Sequence, residues 1–186
     1  MTNDTTHTIA PSTTSTQSPE KPHDLIRLAV PGDLPRLTDI YNQAIATYQC
    51  TCDTTPFTPE DRQAWFDAHQ NGRFPLFVYE SAGQVLGYAY LSPYRSGRDA
   101  VKTVAEISYY VDFAAHRRGI GSHLVRHTLH AATHLGFKNI VAILLESNAP
   151  SIALLQRFGF EAWGSLPMVA QLQNQQISHL YYGIKL

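Results

Sequence analysis

Apolar residues along the chain alternate between compact runs and stretches in which they recur every three or four positions. The run Leu25-Ile26-Arg27-Leu28-Ala29-Val30 reads as a strand, which Pro31-Gly32-Asp33 breaks while starting a helix. Along that helix Leu34, Leu37, Ile40, Tyr41, Ala44 and Ile45 keep helical spacing. A second helix is predicted after Thr58, with Pro59 in its first turn and Glu60 and Asp61 near its positive end. Trp65 and Phe66 are its core anchors. Strands Leu76–Glu80 and Val85–Leu91 follow, joined by the hairpin turn Ser81-Ala82-Gly83-Gln84. After a polar loop at 93–102 come a strand at Val104–Val111 and a long helix from Gly119 to Leu135, closed by Gly136. Ile140–Leu145 is apolar nearly throughout, as expected of a central strand covered on both faces. A helix at Pro150–Phe158, ended by Gly159, leads to a short strand Phe160–Trp163 and a last strand His179–Leu186. The order β-α-α-β-β-β-α-β-α-β-β predicts an α/β fold with a mixed sheet.

Length and composition narrow this picture. A chain of 186 residues fits one domain with a single core. Residues 1–23 are rich in Thr and Ser and hold almost no large apolar groups, so they cannot offset their ordering entropy and are expected to be a disordered tail. The folded domain is then 24–186. A net charge of −1 gives no general drive toward nucleic acid or acidic membranes, so any anion site must be local. No run approaches the roughly 18 apolar residues of a membrane span, and the N-terminus lacks the pattern of a secretory signal. A cytoplasmic location is expected. Cys50 and Cys52 are expected to be reduced thiols, without nearby partners for a metal half-site.

The segment Tyr110-Val111-Asp112-Phe113-Ala114-Ala115-His116-Arg117-Arg118-Gly119-Ile120-Gly121-Ser122 carries the chemical signal. A strand enters a basic, glycine-containing loop and a helix leaves it. The first N–H groups of a helix have no internal partners and suit a phosphate. Gly119 and Gly121 lack the Cβ atoms that would hold an anion off the backbone. A plain turn before a surface helix is the alternative.

His116 to Gly121 resembles the pyrophosphate-binding motif of the GNAT superfamily (Arg or Gln, two residues, Gly, one residue, Gly or Ala), with His in the first position. Asn148-Ala149-Pro150-Ser151 through Gly159-Phe160 resembles that superfamily's second coenzyme-contacting helix. Within it the chain is similar to phosphinothricin N-acetyltransferases and related L-amino-acid acylases. Ile40-Tyr41-Asn42, Thr58–Phe66 and Ala105–Val111 carry that likeness. The resemblance implies a GNAT-like mixed, mostly antiparallel central sheet flanked by helices, acetyl-CoA as co-substrate, a small-molecule amine as acceptor, and a homodimer. It implies coenzyme contacts at Val111, Arg117, Arg118, Gly119, Gly121, Ser122, Asn148 and Ser151.

The resemblance assigns Glu106 the role of general base, removing a proton from the acceptor's ammonium. A strand carboxylate paired with Arg95, Arg98 or Lys102 is the structural alternative. Pro93-Tyr94-Arg95 matches the family's Pro-aromatic-base pattern, making Tyr94 and Arg95 candidate substrate residues, with Arg95 suited to a carboxylate or phosphinate. Relatives carry Tyr or His where this chain has Leu155, and leucine cannot protonate a departing thiolate. Water, or a hydroxyl of Tyr109, Tyr110 or Tyr182, is left to do so, unless no acid is needed. His123, His127, His130 and His134 share one face of the long helix and are read as a solvated polar face, with no metal expected. Two rival functions stay open. One is a coenzyme-A-binding domain without activity, motivated by Leu155. The other is a Rossmann nucleotide module, against which stand Leu124 at the third glycine position and the long strand-to-helix loop.

Overall fold

The computed structural model describes Met1, residues 24–70 and residues 72–186, so the expectation of a disordered tail lies outside the described residues. The elements follow the predicted order: β1 Leu25–Leu28, α1 Leu34–Thr47, α2 Gln63–Ala68, β2 Leu76–Ser81, β3 Gln84–Pro93, β4 Val104–Val111, α3 Ile120–His134, β5 Asn139–Leu145, α4 Ala149–Arg157, β6 Glu161–Leu172 and β7 Gln175–Lys185. The β2–β3 turn places both Ala82 and Gly83 at positive φ, 51° and 75°. That geometry matches the right-handed twist of the strands it joins.

The strands form one seven-stranded sheet in the order β1-β2-β3-β4-β5-β7-β6. All pairs are antiparallel except β4–β5. That parallel pair is brief, joining only Val104 to Asn139, Ala105 to Ile140 and Glu106 to Val141. Beyond it β4 pairs with β3 alone and β5 with β7 alone, so the sheet splits into two wings.

Strand alternation decides which helix covers which face. Ala105 and Ile107 of β4, with Ile140, Ala142 and Leu144 of β5, pack against Val125 and Ala132 of α3 and Leu155 of α4. On the opposite face Leu76, Val78 and Tyr88 meet Leu34, Leu37 and Ile40 of α1 and Phe66 of α2. The sheet is thus covered on both sides, with the split opening between the wings.

Two expectations need correction. The C-terminal hairpin is far longer than the short strands expected from the sequence. β6 is an edge strand exposed along nearly its whole length, so no burial imposes a two-residue period on it. Pro167 and the register shifts at Ala162/Gly164 and Leu166/Ala170 hide it further, and an edge tolerates both. The histidine face of α3 is also only partly solvated. His127 alone is half-buried, meeting Phe77 edge-on at 4.5 Å, whereas His123, beside Tyr79, His130 and His134 are exposed as expected.

Candidate active site

The end of β4 is held by a polar clasp. Asp112 accepts from the Ala114 N–H at 2.7 Å, opening the short turn Phe113–Ala115, and forms an ion pair with Arg36 of α1. Burial opposes the Asp112 charge, but the Arg36 and Ala114 hydrogen bonds outweigh it and hold the carboxyl below its ordinary range. His116 adds a second brace, its Nε2 lying 3.0 Å from the Val111 carbonyl oxygen.

After this clasp the backbone turns back on itself. Arg117 and Gly119 have φ of 62° and 81°, and alternating handedness of this kind points successive N–H groups toward one side. Among the described residues, no protein group accepts a hydrogen bond from the backbone N–H of any residue from 117 to 122. The first protein-bound donor is His123, which reaches Gly119 at 3.1 Å. Gly119 caps α3 without a side-chain bond, whereas α4 is capped by its own Asn148, which accepts from Ser151 N–H at 3.2 Å. The two helix ends therefore differ: one satisfies itself and the other leaves a row of donors. A Cβ on Gly121 would sit 3.1 Å from the Leu154 side chain, in the narrow space between α3 and α4.

These donors border a cavity of about 480 Å³ between the loop, the end of β4 and α4. Val111, Arg117, Gly119, Gly121, Ser122, Asn148 and Ser151 all line it. Arg118 does not. It turns toward the other side, where its charge acts on Asp24 and Tyr79, because the reversal at Arg117 sends consecutive side chains apart. The sequence missed Arg157, which lines the cavity and donates from Nη2 to Ser122 Oγ at 2.9 Å. A lone basic residue near a helix C-terminus carries no signal that it reaches another helix.

The cavity continues toward the split between β4 and β5. A narrower gap of about 40 Å³ is lined there by Ile107–Tyr110, Ala142–Leu144 and Leu155, with Cys50 entering from the loop after α1. Leu155 is completely buried. Tyr109 lines both spaces, and its hydroxyl is hydrogen-bonded to Ser151 Oγ. Both cysteines are free thiols.

Glu106 occupies the last position at which β4 still pairs with β5, opposite Ser92 of β3. It is half-buried, and burial pushes its carboxyl above the ordinary glutamate range. Among the described residues no basic group lies within ion-pair distance of it, so the pairing with Arg95, Arg98 or Lys102 does not form. The neighbouring face is aromatic: Tyr110 packs on Tyr41 and Tyr88, and Trp65 on Tyr90. The buried Arg62 guanidinium lies 3.9 Å from the Trp65 ring centre and 4.4 Å from that of Tyr41. Tyr94 and Arg95 line a separate cavity of about 250 Å³ together with Arg73, Arg98 and Lys102. The structure does not bring them into the cavity of the loop.

A mostly antiparallel sheet split at one brief parallel pair, with an uncapped helix end at the split, defines an acyltransferase fold and excludes a Rossmann module. The chain belongs to the acetyltransferase (GNAT) family, whose pattern matches residues 37–160. It is 37% identical over 147 residues to the L-methionine sulfoximine/L-methionine sulfone acetyltransferase of Pseudomonas aeruginosa, covering 78% of this chain and 85% of that protein. To the phosphinothricin N-acetyltransferase of Streptomyces viridochromogenes it is 35% identical over 151 residues, covering 80% of each. Its fold matches a phosphinothricin acetyltransferase of Sinorhizobium meliloti solved with acetyl-CoA, with a TM-score of 0.83, 28% identity and 88% of each chain covered. The protein is an acetyl-CoA-dependent acetyltransferase.

Proposed function

We propose that this acetyltransferase modifies the primary amine of a small amino acid or an analogue such as phosphinothricin or methionine sulfoximine, by direct transfer. The row of N–H groups at 117–122 that no acceptor among the described residues uses is the observation that carries the reading. In it Gly119, Gly121 and Ser122 hold the coenzyme's diphosphate through backbone donors, and Arg117 adds charge at the same cavity. Val111, Asn148 and Ser151 line the path from the loop toward the strand split. When bound, the co-substrate supplies an activated acetyl thioester.

Glu106 acts as the general base. A carboxyl lifted by burial accepts a proton from an ammonium more readily than an exposed one, and among the described residues no basic side chain pairs with it. The basic cavity at Tyr94 and Arg95 begins one strand position from Glu106, since Pro93 pairs with Ala105. Its cations suit an acceptor's carboxylate or phosphinate. The names of the Pseudomonas and Streptomyces relatives fit such an acceptor.

The chain acts as a homodimer in the cytoplasm. The edge strand β6 exposes Trp163, Leu166, Met168 and Val169, each at least 45% accessible, and an apolar row of that kind suits a second copy. Among the described residues no helix is long and apolar enough to cross a membrane.

The test is thiol release from acetyl-CoA against a panel of amino acids, their phosphinate and sulfoximine analogues, and polyamines. Turnover confined to amino-acid-like acceptors supports the reading. Tight coenzyme binding with no turnover on any amine would instead favour the inactive coenzyme-binding domain that Leu155 suggested.

A further inference from the structure

The geometry points to Tyr109 as the group that hands a proton to the departing coenzyme thiolate, with Ser151 relaying its replacement from solvent. This inference rests on the acetyl-transfer reading above. Transfer joins the acceptor nitrogen to the acetyl carbon and breaks the bond from that carbon to sulfur. The electron pair leaves on sulfur; the ammonium gives one proton to Glu106 before attack, and the nitrogen gives its second to water as the amide forms. Sulfur must then gain a proton or depart as an anion into the gap between the wings of the sheet.

No cationic side chain lines that gap among the described residues, although Ser108, Asn148 and Ser151 give it polar groups. Leu155 closes it from α4 without a donor, and Ile107, Ala142, Ile143 and Leu144 are apolar. The hydroxyl-bearing residues available separate by face. Tyr110 also borders both spaces, but its ring packs on the opposite face, edge-on to Tyr41 at 4.9 Å and tilted against Tyr88 at 5.4 Å. Tyr182 is buried in the main core among Ala142, Leu155 and Phe160. Cys50 makes no side-chain hydrogen bond among the described residues. Tyr109 lines both the gap and the large cavity from the side of α3 and α4, and its hydroxyl is bonded there to that of Ser151. Ser151 also lines the large cavity, so a hydrogen-bonded path runs from that cavity through Ser151 to Tyr109 at the gap.

Burial pushes the Tyr109 phenol up to about 12, although the Ser151 bond works the other way and Cys50 adds to the rise. It therefore keeps its proton across the working range and serves as a donor, never as a competing base. A free thiol titrates near about 8.5, so a lone tyrosinate would be the costlier anion. Proton arrival through Ser151 as the phenol proton leaves removes that cost.

Tyr109→Phe keeps the ring and removes the hydroxyl. With a good acceptor, kcat is expected to fall about 100-fold while acetyl-CoA affinity stays within about twofold. Tyr109→His restores a donor of different acidity. Its kcat should exceed that of the phenylalanine variant below pH of about 6.5 and decline as the imidazole loses its proton. A Tyr109→Phe kcat within about threefold of wild type overturns the assignment. So does a loss of coenzyme affinity large enough to explain the whole fall, or a Tyr109→His profile that tracks the phenylalanine variant at every pH. Wild-type protein that releases no thiol with any amine removes acetyl transfer itself, whereas active wild type with an unaffected Tyr109→Phe removes this step alone.

Discussion

At the scale of single residues, Gly121 and Glu106 carry the sharpest consequences. Gly121 leaves room where α3 starts against Leu154, and its N–H is one of the donors without a protein partner. Gly121→Asp puts both bulk and negative charge there. Coenzyme affinity is expected to fall by at least about 100-fold in a calorimetric titration, because an anion and a displaced backbone oppose the same ligand. Glu106 has two readable signatures. As base it must be ionised, so kcat should rise with pH through a value above the ordinary glutamate range, and Glu106→Gln should abolish that limb. Its raised value in the fold also means that stability is fully present below the unfolded-state value and is lost as pH rises through the folded one. Glu106→Gln should therefore unfold at a higher temperature than wild type at neutral pH, and the gap should close in acid. Both residues were legible in the sequence, one as a glycine after a basic loop and one as a carboxylate on a strand. Arg157 and the outward turn of Arg118 were not, since neither reach nor direction of a long side chain is written in local pattern.

At the scale of elements, the strand-to-helix loop works because other elements fix its ends. Asp112 joins the end of β4 to Arg36 of α1, and His116 ties the loop back to Val111. Asp112→Asn removes the charge that Arg36 pairs with and is expected to cost about 1–3 kcal/mol in urea unfolding, as for other paired buried polar groups. It should also weaken coenzyme binding by about tenfold, because a looser loop must be ordered on binding. Helical period and turn residues revealed α1, α3, α4 and the β2–β3 hairpin nearly to the residue. The β6–β7 hairpin stayed hidden for a reason of physics. Where an edge strand is exposed on both faces, nothing selects alternating polarity, and Pro167 and Gly164 read as breaks.

For the whole molecule, the order of elements in the sequence was enough to name a mixed sheet, but the split between β4 and β5 was not. It arises because their pairing stops after three positions, and pairing register between distant strands is set by tertiary packing. That split separates an aromatic face bearing Glu106 from a cavity face bearing Tyr109, so the proposed base and the proposed acid approach one thioester from opposite sides. The apolar edge of β6 has its consequence at this scale too. Trp163→Glu with Val169→Glu should convert a dimer to a monomer in sedimentation velocity, and a wild-type protein that is already monomeric would remove the dimer.

The central claim is that backbone amides of residues 117–122 grip the coenzyme's diphosphate. Amide-resolved NMR of the isotopically labelled protein during titration with coenzyme A reads those groups one by one. The signals of Gly119, Gly121 and Ser122 should shift furthest and saturate together with binding. Coenzyme A that binds while these amides stay unmoved would contradict the account.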